Sequence, residues 1–204
     1  MKNLMMLISF LFLTATGCEN IETYLTQAKP YTVVGAVDTP MDKGSRTGKR
    51  WFITSPAGTY EEFAQTAIRA AYELHLKNKK TDLIEVELIP DAGLVATGIN
   101  YARVSFATDK KGYTNISGTD PNDIKLYTWS VWSVTKPLTE KELTLVDLWY
   151  GHMKDFPAKH VFDNLSYDKN SLVRFIADKM HIPIAEVELP YINLTEYKGL
   201  PFIK

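Results

Sequence analysis

The chain has 204 residues, long enough for one sizeable core, and its 45% hydrophobic and 12% aromatic content belongs to a globular protein, not a disordered one. A formal net charge of −1 leaves no basic footprint, which argues against a nucleic-acid partner and against a polybasic membrane patch. The single cysteine cannot form an intramolecular disulfide.

Lys2, the apolar run Leu4 to Leu13 and the small residues Thr14-Ala15-Thr16-Gly17 have the layout of a secretory signal. The run is shorter than the roughly 17–25 residues that span a bilayer. Ala15-Thr16-Gly17-Cys18 resembles the lipobox of bacterial lipoproteins. That resemblance implies cleavage between Gly17 and Cys18, a diacylglycerol on Cys18 Sγ and an acylated new amine. It also accounts for the lone thiol, which lipidation would remove. Glu19, where Asp tends to retain enteric lipoproteins in the inner membrane, points to the outer membrane if the host has two. The expected organisation is a signal peptide (1–17), a lipidated N-terminus and tether (18–29), with Ile21, Tyr24 and Leu25 folding back on the domain as the alternative for that tether, and one globular domain (30–204).

Tyr31 to Val37 is rich in β-branched residues and predicts a strand ended by Asp38-Thr39-Pro40. Met41 to Arg50 predicts a polar loop, and Trp51 to Thr54 a second strand. Thr59 to Asn78 is predicted as the longest helix, opened by a Thr59/Glu62 capping box, with Tyr60, Phe63, Ala64, Ala67, Ala71 and Leu74 on one stripe. Leu83 to Ile89 and Ile99 to Thr108 alternate as half-buried strands. Lys125 to Thr135 predicts a strand with bulky residues on both faces. Thr139 and Glu142 open a further helix carrying Leu143, Val146, Trp149 and Met153, which ends before Pro157. Ser171 to Met180 follows as another, and Ile184 to Leu189 as a short one; the tail from Pro190 reads as irregular. Strands followed by helices predict an α+β fold: a mainly antiparallel sheet of about five strands, packed by one long helix and followed by a C-terminal helical segment.

The residues with chemical potential fall short of any complete constellation. Gly44 to Arg50 carries Gly-Lys, but its glycines are one residue too close for a phosphate loop and Arg50 stands where the metal-binding hydroxyl belongs. His152, Asp155 and His160 could be metal ligands, yet the spacing is wrong for two ligands on one helical face, Pro157 breaks the helix before His160, and no Glu sits beside His152 to make a zincin helix. Ser117 lacks the first glycine of a nucleophile elbow. The carboxylate pairs Glu61/Glu62 and Glu85/Glu87 are predicted to lie on solvated faces. Tyr127, Trp129 and Trp132 read as core, with a ligand groove as the alternative.

Asp38-x-Pro40, together with Tyr101-Ala102-Arg103-Val104-Ser105-Phe106-Ala107-Thr108-Asp109-Lys110-Lys111-Gly112, resembles an uncharacterised family of bacterial domains of unknown function, over roughly residues 30–150. That resemblance transfers no site. The expectation is a lipid-anchored envelope protein acting as a non-enzymatic interaction or accessory module. It needs no cofactor or metal and is partnered by the membrane and by another envelope protein. The alternatives are a periplasmic hydrolase using His152, Asp155 or His160, and a small-ligand binder using the aromatic strand.

Overall fold

A computed structural model describes residues 21–41, 46–78, 80–107, 129–158 and 167–200. Six strands form one sheet in chain order: β1 (Thr32–Met41), β2 (Arg46–Thr54), β3 (Leu83–Leu88), β4 (Ala102–Ala107), β5 (Trp129–Val134) and β6 (Leu194–Glu196). Neighbours pair antiparallel except β2 and β3, which are parallel. A parallel pair needs a crossover, and helix α1 (Tyr60–Lys77) supplies it. The expected α+β fold with a mainly antiparallel sheet is what forms.

Thr59 caps α1 by accepting from the Glu62 backbone N–H, and the helix buries Phe63, Ala64, Ala67, Ile68, Ala70, Ala71 and Leu74. The alanines let the helix lie close on Trp51 and Ile53 of β2, Ile84, Val86 and Leu88 of β3, Ala102, Val104 and Phe106 of β4, and Val131 of β5. Helix α2 (Glu140–His152) opens with the expected reciprocal Thr139/Glu142 capping box, and α3 (Lys169–Met180) is capped by Asp168. These two helices share a second apolar cluster built on Leu145, Trp149, Leu172 and Ile176. Leu94, Ile99 and Val146 form a third cluster, which joins α2 to the connection between β3 and β4.

Four expectations are corrected. Strand β1 runs through Pro40 to Met41, with Pro40 opposite Thr47. It can do so because β1 is an edge strand, where a missing N–H costs the ladder nothing. Residues Arg46 to Arg50, expected in a loop, are therefore the first half of β2. The tail contributes β6, and Tyr197 behind it is buried in the main core. The segment Ile184 to Leu189 makes only a 3-10 turn, at Ile184–Glu186.

The segment that precedes β1 folds back on the domain. Residues 21–29 are strapped along the outer side of α1. Leu25 is 1% exposed and Ile21 is also buried. The Gln27 N–H donates to Gln65 Oε1 at 2.8 Å and the Lys29 N–H to Thr66 Oγ1 at 2.8 Å. Arg69 donates to the carbonyls of Leu25 and Ala28, and Lys29 pairs with Glu62 at 2.7 Å. Gln65 is bonded at both ends, since its Nε2 donates to the Tyr197 hydroxyl at 3.2 Å. A buried polar side chain is tolerated when it is bonded in this way.

Candidate functional site

The sheet face turned away from α1 is polar at its centre. Strand alternation puts Arg50 (β2), Glu85 and Glu87 (β3) and Arg103 (β4) on that face, and the register sets Arg50 opposite Glu85 and Glu87 opposite Arg103. The outcome differs from the solvated face expected of Glu85 and Glu87, which are only 7% and 5% exposed. Arg50 donates twice to Glu85 Oε2, at 2.8 and 3.0 Å, and Arg103 donates to Glu85 Oε1 at 2.9 Å. Both oxygens of Glu85 are thus satisfied by charge-assisted bonds from flanking strands.

Glu87 is differently placed. Its contact with the network is an ion pair to Arg50 Nε at 3.5 Å, too long for a good hydrogen bond. Burial pushes the Glu87 carboxyl above the ordinary value, against the pull of Arg50 and Arg103 and with added repulsion from Glu85. Burial also acts to raise Glu85, but bonds and charges from Arg50 and Arg103 outweigh it and hold that carboxyl below the ordinary value. Two carboxylates of one strand are therefore driven in opposite directions.

A raised carboxyl in the folded state contributes stability that is complete below the unfolded value and lost as pH rises through the folded value. Glu87→Gln is accordingly expected to stabilise the domain at pH 7 and to gain progressively less as pH falls toward 4. Urea melts across that range provide the measurement. A Glu87→Gln protein less stable than the parent at pH 7 would show that the Arg50 contact, not burial, dominates at this position.

Trp132 stands opposite Arg103 on the same face, 39% exposed, with its Nε1–H donating to Ser130 Oγ at 3.1 Å. The expected core reading holds for Trp129, which is partly buried against the main core with its ring centroid 4.5 Å from that of Phe106. It does not hold for Trp132. Tyr127 lies outside the described residues, as do Ser117, His160, Gly17 and Cys18.

The structure brings His152 and Asp155 together despite their expected separation: His152 Nδ1 lies 2.8 Å from Asp155 Oδ2. The reason is a 3-10 turn, Met153–Asp155, which continues α2 and stacks residues three apart. The pair is on the surface, and the imidazole rests on Phe175 with ring centroids 4.7 Å apart. Among the described residues, no group of three or more His, Cys, Asp or Glu could hold a metal ion. Of the expected basic loop, Lys49 pairs with Asp38 at 3.3 Å and sits over the Trp51 ring, and Arg50 is committed to Glu85.

A shallow groove of about 400 Å³ runs beside the strap, lined by Lys29, Tyr31, Val33, Arg69, Glu73 and Lys77. The Tyr31 hydroxyl donates to Glu73 Oε2 at 2.6 Å. Burial, that bond and the Glu73 charge raise the Tyr31 phenol far above its ordinary value, so it stays a donor.

The family model described as DUF4875, a domain of unknown function, matches residues 26–192. The chain belongs to the DUF4875 family. The matched span of the DUF4875 domain opens inside the strap and takes in Arg50, Glu85, Glu87, Arg103 and both C-terminal helices, a wider reach than residues 30–150. Among solved structures, the DUF4875 domain shares its fold with the crystal structure of a DUF487 family protein from Desulfovibrio piger. The TM-score is 0.61 and identity 19%, over 87% of this chain and 99% of that one. At that identity the likeness is one of fold alone. Comparison of the DUF4875 chain with curated proteins finds no match.

Proposed function

We propose that this DUF4875 protein is a lipid-anchored component of a bacterial cell envelope, facing the periplasm from the outer membrane, and that it works by contact with another envelope protein, not by catalysis. The observation that carries the anchor is Cys18, the only cysteine, placed after Ala15-Thr16-Gly17 at the end of an apolar run. The non-catalytic reading draws support from how the central charges are spent. Arg50, Arg103 and Glu85 close on one another across three strands, and the groove beside the strap lies elsewhere, at the β1 end of the molecule. An ion-pair network satisfied from within clamps a sheet.

The test begins at the anchor. Cys18→Ser is expected to abolish incorporation of labelled palmitate and to move the protein from the detergent to the aqueous phase on partitioning. Each buried methylene contributes about 0.8 kcal/mol, so several acyl chains hold where one would not. Palmitate retained on the Cys18→Ser protein would sink the anchor. The contact reading is tested on the exposed face by crosslinking in intact cells from a photoreactive residue at Trp132. A discrete adduct that Arg103→Glu abolishes is the expected result. An adduct-free lane beside an active hydrolase would overturn it.

A further inference from the structure

We infer that the domain is held flush on the bilayer, with the C-terminal end of α1 as its membrane-facing surface. This inference rests on the Cys18 anchor proposed above. Only Glu19 and Asn20 separate Cys18 from Ile21, and a fully extended chain gains no more than about 3.6 Å per step, so over the three steps the lipidated Cα lies within about 11 Å of the Ile21 Cα. Ile21 is itself buried in the core that the strap shares with α1. An anchor with so little reach cannot hold the domain away from the headgroups, as a long flexible tether would. The side of the molecule that carries the strap must therefore meet the membrane.

That side has the chemistry of a headgroup layer. The strap is bonded to α1 at Glu62, Gln65, Thr66 and Arg69, a stripe at helical spacing. One and two turns beyond Arg69 the same stripe carries Glu73 and then Leu76, which is 48% exposed. Val33, 43% exposed, lines the groove beside it. Lys77 follows Leu76 at the rim and exposed Lys80 lies just past the helix end. Apolar side chains with lysines around them suit an interface in which the hydrocarbon enters the acyl boundary and the ammonium groups stay among phosphates. The Tyr31 phenol, bonded to Glu73 and kept protonated, is the kind of amphipathic ring that belongs at that depth. The polar sheet face with Arg103 and Trp132 then points away from the bilayer, where a second envelope protein can reach it.

The experiment uses the full chain. Once Cys18 is acylated, a thiol introduced by Leu76→Cys is the only free one, and Trp132→Cys provides the same handle on the opposite face. Each protein is first checked by mass spectrometry for acylation of Cys18, then labelled with a small fluorophore. It is next placed in vesicles of phosphatidylethanolamine and phosphatidylglycerol. Lipid-borne doxyl groups are expected to quench the label at position 76 several-fold more than the label at 132, with the reverse order for aqueous iodide. Insertion of about 20 Gly/Ser residues between Asn20 and Ile21 should equalise the two, because the reach then exceeds the size of the domain. Acylated protein with equal quenching at both positions would overturn the docking and leave the anchor standing. A protein without acyl chains would overturn both.

Discussion

Phe63→Ala is expected to destabilise the domain by about 3–5 kcal/mol, the cost of deleting a fully buried aromatic ring whose surroundings collapse only in part. Phe63 is completely buried between α1 and the sheet, and its ring lies 4.9 Å from that of Tyr101. The loss therefore includes an aromatic contact worth about 0.5–1.5 kcal/mol besides the area removed from water. It also falls where the parallel β2–β3 pair depends on its crossover helix. A urea melt should show a lower midpoint with an unchanged slope. A changed slope would mean that the helix had left the sheet in the native state, and a midpoint equal to the parent's would place Phe63 outside the core.

The second large effect is at Glu85. Glu85→Ala removes the acceptor of three hydrogen bonds and leaves Arg50 and Arg103 facing each other on adjacent flanks of β3. Breaking a buried ion pair from one side costs about 3–5 kcal/mol; both guanidiniums retain some solvent, so the lower end, about 3 kcal/mol, is expected here. The sign of the pH dependence follows from the lowered Glu85 carboxyl. Its contribution is present above the ordinary carboxylate value and is lost as pH falls through the lowered folded value. The gap between parent and Glu85→Ala should therefore be widest near neutrality and close in acid. Replacing Arg50, Glu85 and Arg103 together by Met should recover most of the loss, because the penalty lies in the unpaired charges. A triple mutant as unstable as Glu85→Ala would show that the network is needed for the fold itself.

The helices were legible because their signals are local. Thr59 with Glu62 and Thr139 with Glu142 announce helix starts within four residues, and the stripe of α1 points inward as its spacing implies, whereas in α2 Val146 and Trp149 are buried as expected but Leu145 is buried in place of Leu143. The ion-pair network was not legible. Alternation in Leu83 to Leu88 says only that Glu85 and Glu87 share a face; the arginines that bury them come from positions 35 residues before and 18 after. Arg50 was assigned to a loop because Gly48, Lys49 and Arg50 lack strand propensity, and the ladders to β1 and β3 override that preference. β6 was missed for a similar reason, since three residues become a strand only when β5 offers its edge. The strap left a faint trace. Gln65 and Thr66 are polar positions adjoining an apolar stripe, and both are wholly or nearly wholly buried, each holding a backbone N–H of the strap.

The double use of Gln65 sets an order of assembly. Its two amide ends join segments that precede it by 38 residues and follow it by 132. On a chain emerging N-terminus first, the strap can meet α1 early, across a short closure. Tyr197 arrives only after every strand and helix of the described residues has been made, and closing so long a loop has the larger entropic cost. Until then one flank of the alanine-rich helix stands open, and Gln65 has an unfilled donor beside it. A chain stopped short of Tyr197 would keep that defect permanently, with a nearly complete sheet and an unsealed helix, and would offer proteases their way in at the seam between α1 and the missing tail.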